Sequence, residues 1–118
     1  MVLDRERQDV SYLLGRLFAV LEKAQSDAVP GANTTIRDRF YGSASATPCV
    51  AFPLLMKLAQ HHISKSKFSV YLDKLVQEIM GGVRTFPTHL NLEGQGLFAI
   101  GYYHQKQDLY KSKESKEA

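Results

Sequence analysis

Apolar residues spaced three and four positions apart near the N-terminus constrain the fold most. This spacing puts the side chains on one face of an α-helix, and it predicts a helix over residues 4–27. At about six turns, this helix would be the longest element. Its apolar positions are Val10, Leu13, Leu14, Leu17, Phe18 and Leu21. No alternating pattern long enough for a β-strand occurs in the sequence, so an all-α fold is expected.

A helix-start signal opens the middle of the chain. Thr35 is followed three positions later by Asp38, which resembles a capping box. The short helix that follows is predicted to bury Ile36 and Phe40, which lie four positions apart on one face. The small residues at 42–46 offer no bulk to bury, and they are interpreted as a close-packed connection.

A second start signal introduces the third helix. Thr47 suits an N-cap, and Pro48 suits the first helical position, where a missing N–H costs nothing. Pro53 lies too deep for that start, so either a kink there or a true start near Phe52 is expected. Apolar residues fall on two sides of this helix: Phe52, Leu55, Met56, Ala59 and Ile63 on one, Leu54 and Leu58 on the other. This pattern predicts a central helix packed between neighbours.

The last third of the chain contains two more predicted helices. Helix four has apolar residues at helical spacing and ends at Gly81-Gly82. Asn91 can cap helix five. The expected architecture is a compact bundle of about five helices in a single domain, residues 1–110. The charged residues 111–118 are expected to form a frayed, disordered tail.

Composition limits the cellular setting and the class of partner. The 118 residues include 15 Lys and Arg against 12 Asp and Glu, for a net charge of +3 and a pI near 9.0. This mild bias permits a polyanionic partner. Cys49 is the single cysteine, so no internal disulfide can form. A charged N-terminus without an apolar signal region, and no bilayer-length apolar run, indicate a cytoplasmic protein without a membrane partner.

Catalytic and metal motifs find little support. Residues 94–99 match G-x-G-x-x-A, but no apolar strand precedes them, so a dinucleotide site is not expected. His61 and His62 point about 100° apart on a helix and do not favour one metal ion. No nucleophile–base pair stands out beside Cys49. The sequence therefore predicts no enzyme activity, no cofactor, no metal site and no small-molecule substrate.

Cations at helical spacing are the best candidates for binding phosphate. On helix one, Arg5, Arg16 and Lys23 share a side with Tyr12. Arg37 and Arg39 lie about 200° apart on helix two, so at least one should be exposed. The predicted nucleic-acid-binding residues are Arg5, Arg16, Lys23, Arg37, Arg39, Lys57, His61, Lys65 and Lys67. Ordinary solvated faces are the alternative for each stripe.

Tyr102 and Tyr103 are a possible base-stacking pair, since aromatic side chains can stack nucleobases. At helical spacing, however, at least one of the two should belong to the core.

Three segments together resemble a known family. They are residues 3–25, 33–62 and 90–107. Their most specific parts are RDRFYGSASAT at 37–47, LAQHH at 58–62 and QGLFAIGYYHQ at 95–105. Over about residues 3–107 the chain is similar to the C-terminal portion of the large subunit of the type I-C CRISPR effector complex, Cascade. It therefore resembles the separate small subunit of that complex, which is made from an internal translation start in the large-subunit gene.

The resemblance implies a fold and a role, without a reaction. Small subunits of this kind are helical bundles that line the inner belly of the complex, beside the large subunit, the guide-RNA-bearing backbone subunits and further copies of themselves. They are expected to stabilise the R-loop by holding the displaced, non-target DNA strand. None of the matching segments is a catalytic motif.

Two alternatives stay open. The chain could be a purely structural subunit that makes no DNA contact and docks its neighbours through helix one and the faces of Gly96 and Gly101. It could also be a small helix-turn-helix regulator. That class needs a polar recognition helix, which the apolar helix from Phe52 does not provide.

Overall fold

The computed structural model describes residues 3–28, 36–66 and 68–117, with backbone alone for 111–117. Within these ranges the chain forms five α-helices and no strand, which confirms the predicted all-α bundle. The helices are α1 (Val10–Ala28), α2 (Ile36–Ala46), α3 (Pro48–Lys65), α4 (Ser69–Met80) and α5 (Leu92–Glu117). Across the described ranges no helix has the length and hydropathy needed to cross a bilayer. The backbone is helical through residues 111–117, and fraying of this tail stays a prediction.

The central helix is α1, and the prediction that α3 is central was wrong. Helix α1 contacts all four other helices, and residues 12–21 are buried without exception. Ala19, Val20 and Ala24 add apolar surface to the sides that the predicted stripe leaves open, so this helix is apolar nearly all round. By contrast, Leu54 is 48% exposed and Leu58 is 38% exposed on α3.

Helix α1 begins at Val10, six residues later than predicted. Its first turn is closed by the N–H of Leu13, which donates to the carbonyl oxygen of Asp9 at 3.0 Å. Residues 4–9 precede the helix and are not helical. Arg5 therefore does not share a helical face with the cations of α1, and that prediction was wrong.

Helices α2 and α3 follow each other with one residue between them. The small residues at 42–46, predicted as a connection, belong to α2, and Ala44 and Ser45 are buried there. Helix α3 begins at Pro48 as the start signal predicts, and it continues through Pro53, so a start near Phe52 was wrong. The predicted capping residue Thr35 lies outside the described residues.

The segment between α4 and α5 packs on the start of α3. The N–H of Cys49 donates to the carbonyl oxygen of Pro87 at 2.9 Å. The rings of Phe52 and Phe86 stack with centroids 5.3 Å apart. Asn91 caps α5 as predicted, since its side-chain oxygen accepts a hydrogen bond from the N–H of Gly94 at 2.8 Å.

Two glycines allow α1 and α5 to pack backbone against backbone. A Cβ atom on Gly15 would overlap the carbonyl oxygen of Phe98, and one on Gly101 would overlap the carbonyl oxygen of Tyr12. Gly101 is therefore an internal packing position, and its predicted role in docking other subunits was wrong. A Cβ atom on Gly96 would meet nothing within 4 Å.

Candidate nucleic-acid interface

Arg16 lies inside the bundle with its side chain 1% exposed. Its Nε donates to Oε1 of Gln105 at 2.9 Å, and its Nη2 lies 3.8 Å from a carboxylate oxygen of Glu78. Burial lowers the pKa of Arg16, although Glu78 opposes that shift. The guanidinium serves internal packing and is not presented to a ligand.

Arg5, which lies in the segment before α1, links α4 to α5. Its guanidinium lies 3.4 Å from a carboxylate oxygen of Glu78 on α4 and 3.3 Å from one of Asp108 on α5. Its side chain is partly exposed, yet two acidic groups already neutralise its charge. A phosphate would have to compete with both carboxylates.

Lys23 is also internal, with 7% exposure. Its Nζ donates to Asp27 at 2.9 Å and lies 5.1 Å from the ring centroid of Tyr110. The predicted cationic side of helix one is thus covered by the bundle, and neither an exposed phosphate-binding stripe nor a solvated face describes it. Because both side chains are buried, the structure does not support the predicted phosphate contacts of Arg16 and Lys23.

Arg37 on α2 has a different environment. It is exposed, and its Nη2 donates to the hydroxyl oxygen of Tyr103 at 2.9 Å. Its guanidinium carbon lies 5.5 Å from the ring centroid of Tyr102 and 5.9 Å from those of Tyr41 and Tyr103. Tyr102 and then Tyr103 raise the pKa of Arg37 further, although desolvation opposes this. Three tyrosines therefore hold a permanent cation at the surface.

Tyr102 belongs to the core, as expected for one of the two tyrosines. It is fully buried, and its hydroxyl donates to Oε1 of Glu22 at 2.6 Å. The Nζ of Lys106 lies 3.3 Å from the same hydroxyl. Burial, followed by the bond to Glu22, raises the pKa of Tyr102 far above its ordinary value.

This raised pKa predicts a loss of stability at alkaline pH. Because the pKa of a tyrosine in the unfolded chain is about 10, the unfolded chain releases a proton above that pH while folded Tyr102 keeps it. The free energy of unfolding should fall above pH 10, by up to about 1.4 kcal/mol per pH unit from this residue. Urea denaturation of the wild type and Tyr102→Phe at pH 9 and pH 11 measures the contribution of Tyr102 to the free energy of unfolding. Identical pH dependence in both proteins would contradict the assignment.

Arg39 is exposed two residues further along α2. Its guanidinium carbon lies 5.2 Å from the ring centroid of Phe40. Both arginines of α2 are thus at the surface, in agreement with the prediction that at least one would be.

The exposed side of α3 carries the second predicted cationic stripe. Lys57, His61 and Lys65 lie four residues apart and are all exposed. Lys67, the remaining cation predicted beside them, lies outside the described residues. Exposed apolar residues lie beside these cations on the same helix. Val50 is 69% exposed, and Leu54 and Leu58 follow it at the same four-residue spacing.

His62 does not extend this stripe. Burial first, then His61 and Lys65, lower its pKa, which disfavours the charged form of the ring. Its Nδ1 is buried and has no hydrogen-bond partner within the described part of the chain. The ring centroids of His61 and His62 are 6.0 Å apart.

Ion pairs with carboxylates distinguish two groups of cations. The ion pairs found among the described residues use Arg5, Arg7, Arg16, Lys23 and Lys106. The exposed cations Arg37, Arg39, Lys57 and Lys65 take part in none of those pairs. An exposed cation outside these pairs can bind a phosphate without first breaking one of them.

Sequence reasoning did not connect Arg37 with Tyr103. The two residues are 66 positions apart, and nothing in the local spacing of either helix indicates their contact. The tyrosine pair itself was visible as a possible stacking element. Its half-exposed member, Tyr103, is the one that accepts the hydrogen bond from Arg37.

Comparison with known proteins agrees with the resemblance. A family model described as CRISPR-associated protein (Cas_Csd1) matches residues 1–110. This match confirms the similarity to a type I-C Cascade subunit, while an internal translation start stays a prediction. The sequence matches no curated protein.

Proposed function

The chain belongs to the CRISPR-associated Csd1 family, and from that premise we propose that it is the non-catalytic small subunit of a type I-C Cascade. In this role it holds the displaced DNA strand by contacts to phosphates. The observation that carries the proposal is the set of exposed cations on α2 and α3 that take part in no ion pair among the described residues.

This division of charge suits a subunit that grips a strand without reading it. In RNA-guided complexes, base pairing with the guide supplies sequence specificity, and protein contacts the backbones. Cations spaced along helices add affinity that depends on salt and is indifferent to sequence. Within the set predicted from sequence, the exposed members are the ones to which we assign these contacts: Arg37, Arg39, Lys57, His61 and Lys65.

The apolar residues between the cations of α3 favour a second role, bracing the other subunits. Val50, Leu54 and Leu58 leave an apolar stripe uncovered in the bundle. Stripes of this kind are typical of protein contacts. We propose that the large subunit, the guide-RNA-bearing backbone subunits or a further copy of this chain covers it. A purely structural subunit without DNA contact is the competing proposal.

Charge reversal on α3 separates the two roles. In the reconstituted effector complex, Lys57→Glu and Lys65→Glu should each weaken R-loop formation on target DNA. The slope of log K against log salt is negative, and loss of one phosphate contact should make it shallower by about 0.7. Arg84→Glu is the matched control, because it makes the same charge change at an exposed residue of the segment before α5.

The assembled complex must be checked for stoichiometry in each case. Normal assembly with weaker, less salt-dependent R-loops supports strand holding. Normal assembly with unchanged R-loops in both α3 variants would refute strand holding by this stripe and leave the structural role.

A further inference from the structure

We propose that Tyr103 and Arg37 form a binding site for one unpaired nucleotide, with the base stacked on the Tyr103 ring and its phosphate on the Arg37 guanidinium. This inference rests on the proposed function and deepens it, because it assigns a preference for single-stranded over duplex DNA to one surface. The predicted cationic stripes carry no such preference by themselves.

The Tyr103 ring is open to a stacking partner. It is 50% exposed on α5. The Nη2 of Arg37 is bonded to its hydroxyl at 2.9 Å, while the guanidinium carbon is 5.9 Å from the ring centroid. Arg37 therefore bonds Tyr103 at its hydroxyl, and the exposed half of the Tyr103 side chain stays available to a base.

The ring is also fixed in position before any ligand arrives. Tyr102 packs against it edge-on, with centroids 5.0 Å apart and planes inclined by 72°. Tyr102 is itself anchored in the core through Glu22. A platform with little freedom to lose binds a base at a lower entropic cost.

Arg37 supplies the charge that a nucleotide requires. Only one of its N–H groups is used by Tyr103, and a guanidinium carries five donors in a planar fork. The remaining donors can reach a phosphate attached to the stacked nucleotide. Aromatic platforms beside a cation are the usual means of holding single strands without sequence preference.

Tyr110 extends the surface along the same helix. It follows Tyr103 by seven residues, which returns it to nearly the same face about 10.5 Å further along the axis. It is 41% exposed, and Lys23 lies against its ring. A strand lying along α5 would thus meet a second aromatic ring beyond the first.

Photo-crosslinking tests the site directly. A single-stranded oligo(dT) carrying one 5-iododeoxyuridine is irradiated with the full chain at low salt, and the same base is placed in the displaced strand of the assembled complex. We expect the crosslink to map to Tyr103. Tyr103→Ala should lower its yield about tenfold, as expected for loss of one stacked base.

The variants separate stacking from charge. Tyr103→Phe keeps the ring and should stay within about twofold of the wild type, although it loses the bond to Arg37. Arg37→Ala should weaken binding of the oligonucleotide and make the slope of log K against log salt shallower by about 0.7. Leu92→Ala, an exposed apolar residue at the start of the same helix, is the control that should change nothing.

Several results would overturn the site. These are crosslinks that map elsewhere, no crosslink at all, or an equal yield with a blunt duplex of the same sequence. The proposed function fails separately: if R-loops are indifferent to the chain and to charge reversal on α3 while Tyr103 still crosslinks to single strands, the base site stands and the displaced-strand role falls.

Discussion

Replacing Gly101 with alanine is expected to remove much of the stability of the protein. The added Cβ atom would overlap the backbone carbonyl of Tyr12, and a backbone atom in a packed helix cannot rotate away as a side chain can. The two helices must separate, which costs about 3 kcal/mol by comparison with other overpacked cores. Native domains have only about 5–15 kcal/mol of stability in total. The loss is measured by urea denaturation, with circular dichroism reporting the helical content.

Gly96→Ala is the matched control for this prediction. It makes the same change five residues earlier in the same helix, where the new Cβ atom meets nothing within 4 Å. There the better helix propensity of alanine should raise the free energy of unfolding by up to about 1 kcal/mol. Two variants with equal stability would show that α1 and α5 do not cross in contact at Gly101.

Gln105→Leu is expected to lower the stability by a comparable amount, because it removes a hydrogen-bond partner of the buried, charged Arg16. Gln105 and Arg16 are both nearly inaccessible, and the amide oxygen is the hydrogen-bond acceptor for the Arg16 Nε. Leucine leaves that N–H of a buried cation without a partner, a loss of about 3 kcal/mol. Thermal denaturation at neutral pH should show a melting temperature lower by about 10 °C.

The double variant distinguishes this cause from poor packing. Arg16→Met combined with Gln105→Leu removes the charge together with its partner, and such replacements of buried polar groups by apolar ones are often neutral or stabilising. Most of the lost stability should therefore return. Additive losses in the double variant would show that the Arg16–Gln105 bond is not the source of the effect.

Signals confined to one helix were predictable from sequence. Pro48 marks the start of α3, and Asn91 caps α5, because each acts on backbone groups within a few residues. Thr47 makes no capping bond, since its hydroxyl donates to the carbonyl oxygen of Ser43 instead. Family membership was also predictable, because the segments that carry the resemblance lie within residues 1–110, which the family model matches.

Contacts between distant segments were not predictable. Arg16 and Lys23 have the spacing of a solvated face, but acceptors on α4, α5 and α1 itself bring them into the core. Periodicity shows which residues share a face and does not show what covers that face. The same limit explains α3, whose second apolar stripe at Leu54 and Leu58 is left exposed.

The packing of α1 against α5 also governs how the protein can be made. Arg16 and Gln105, which bond across this packing, are 89 positions apart. A ribosome must therefore synthesise about 90 further residues before α1 meets the helix that covers most of it. Until then, a nascent chain carries an apolar segment without its partner, a condition that exposes it to aggregation and to chaperones. Productive folding of α1 consequently waits until α5 has been made.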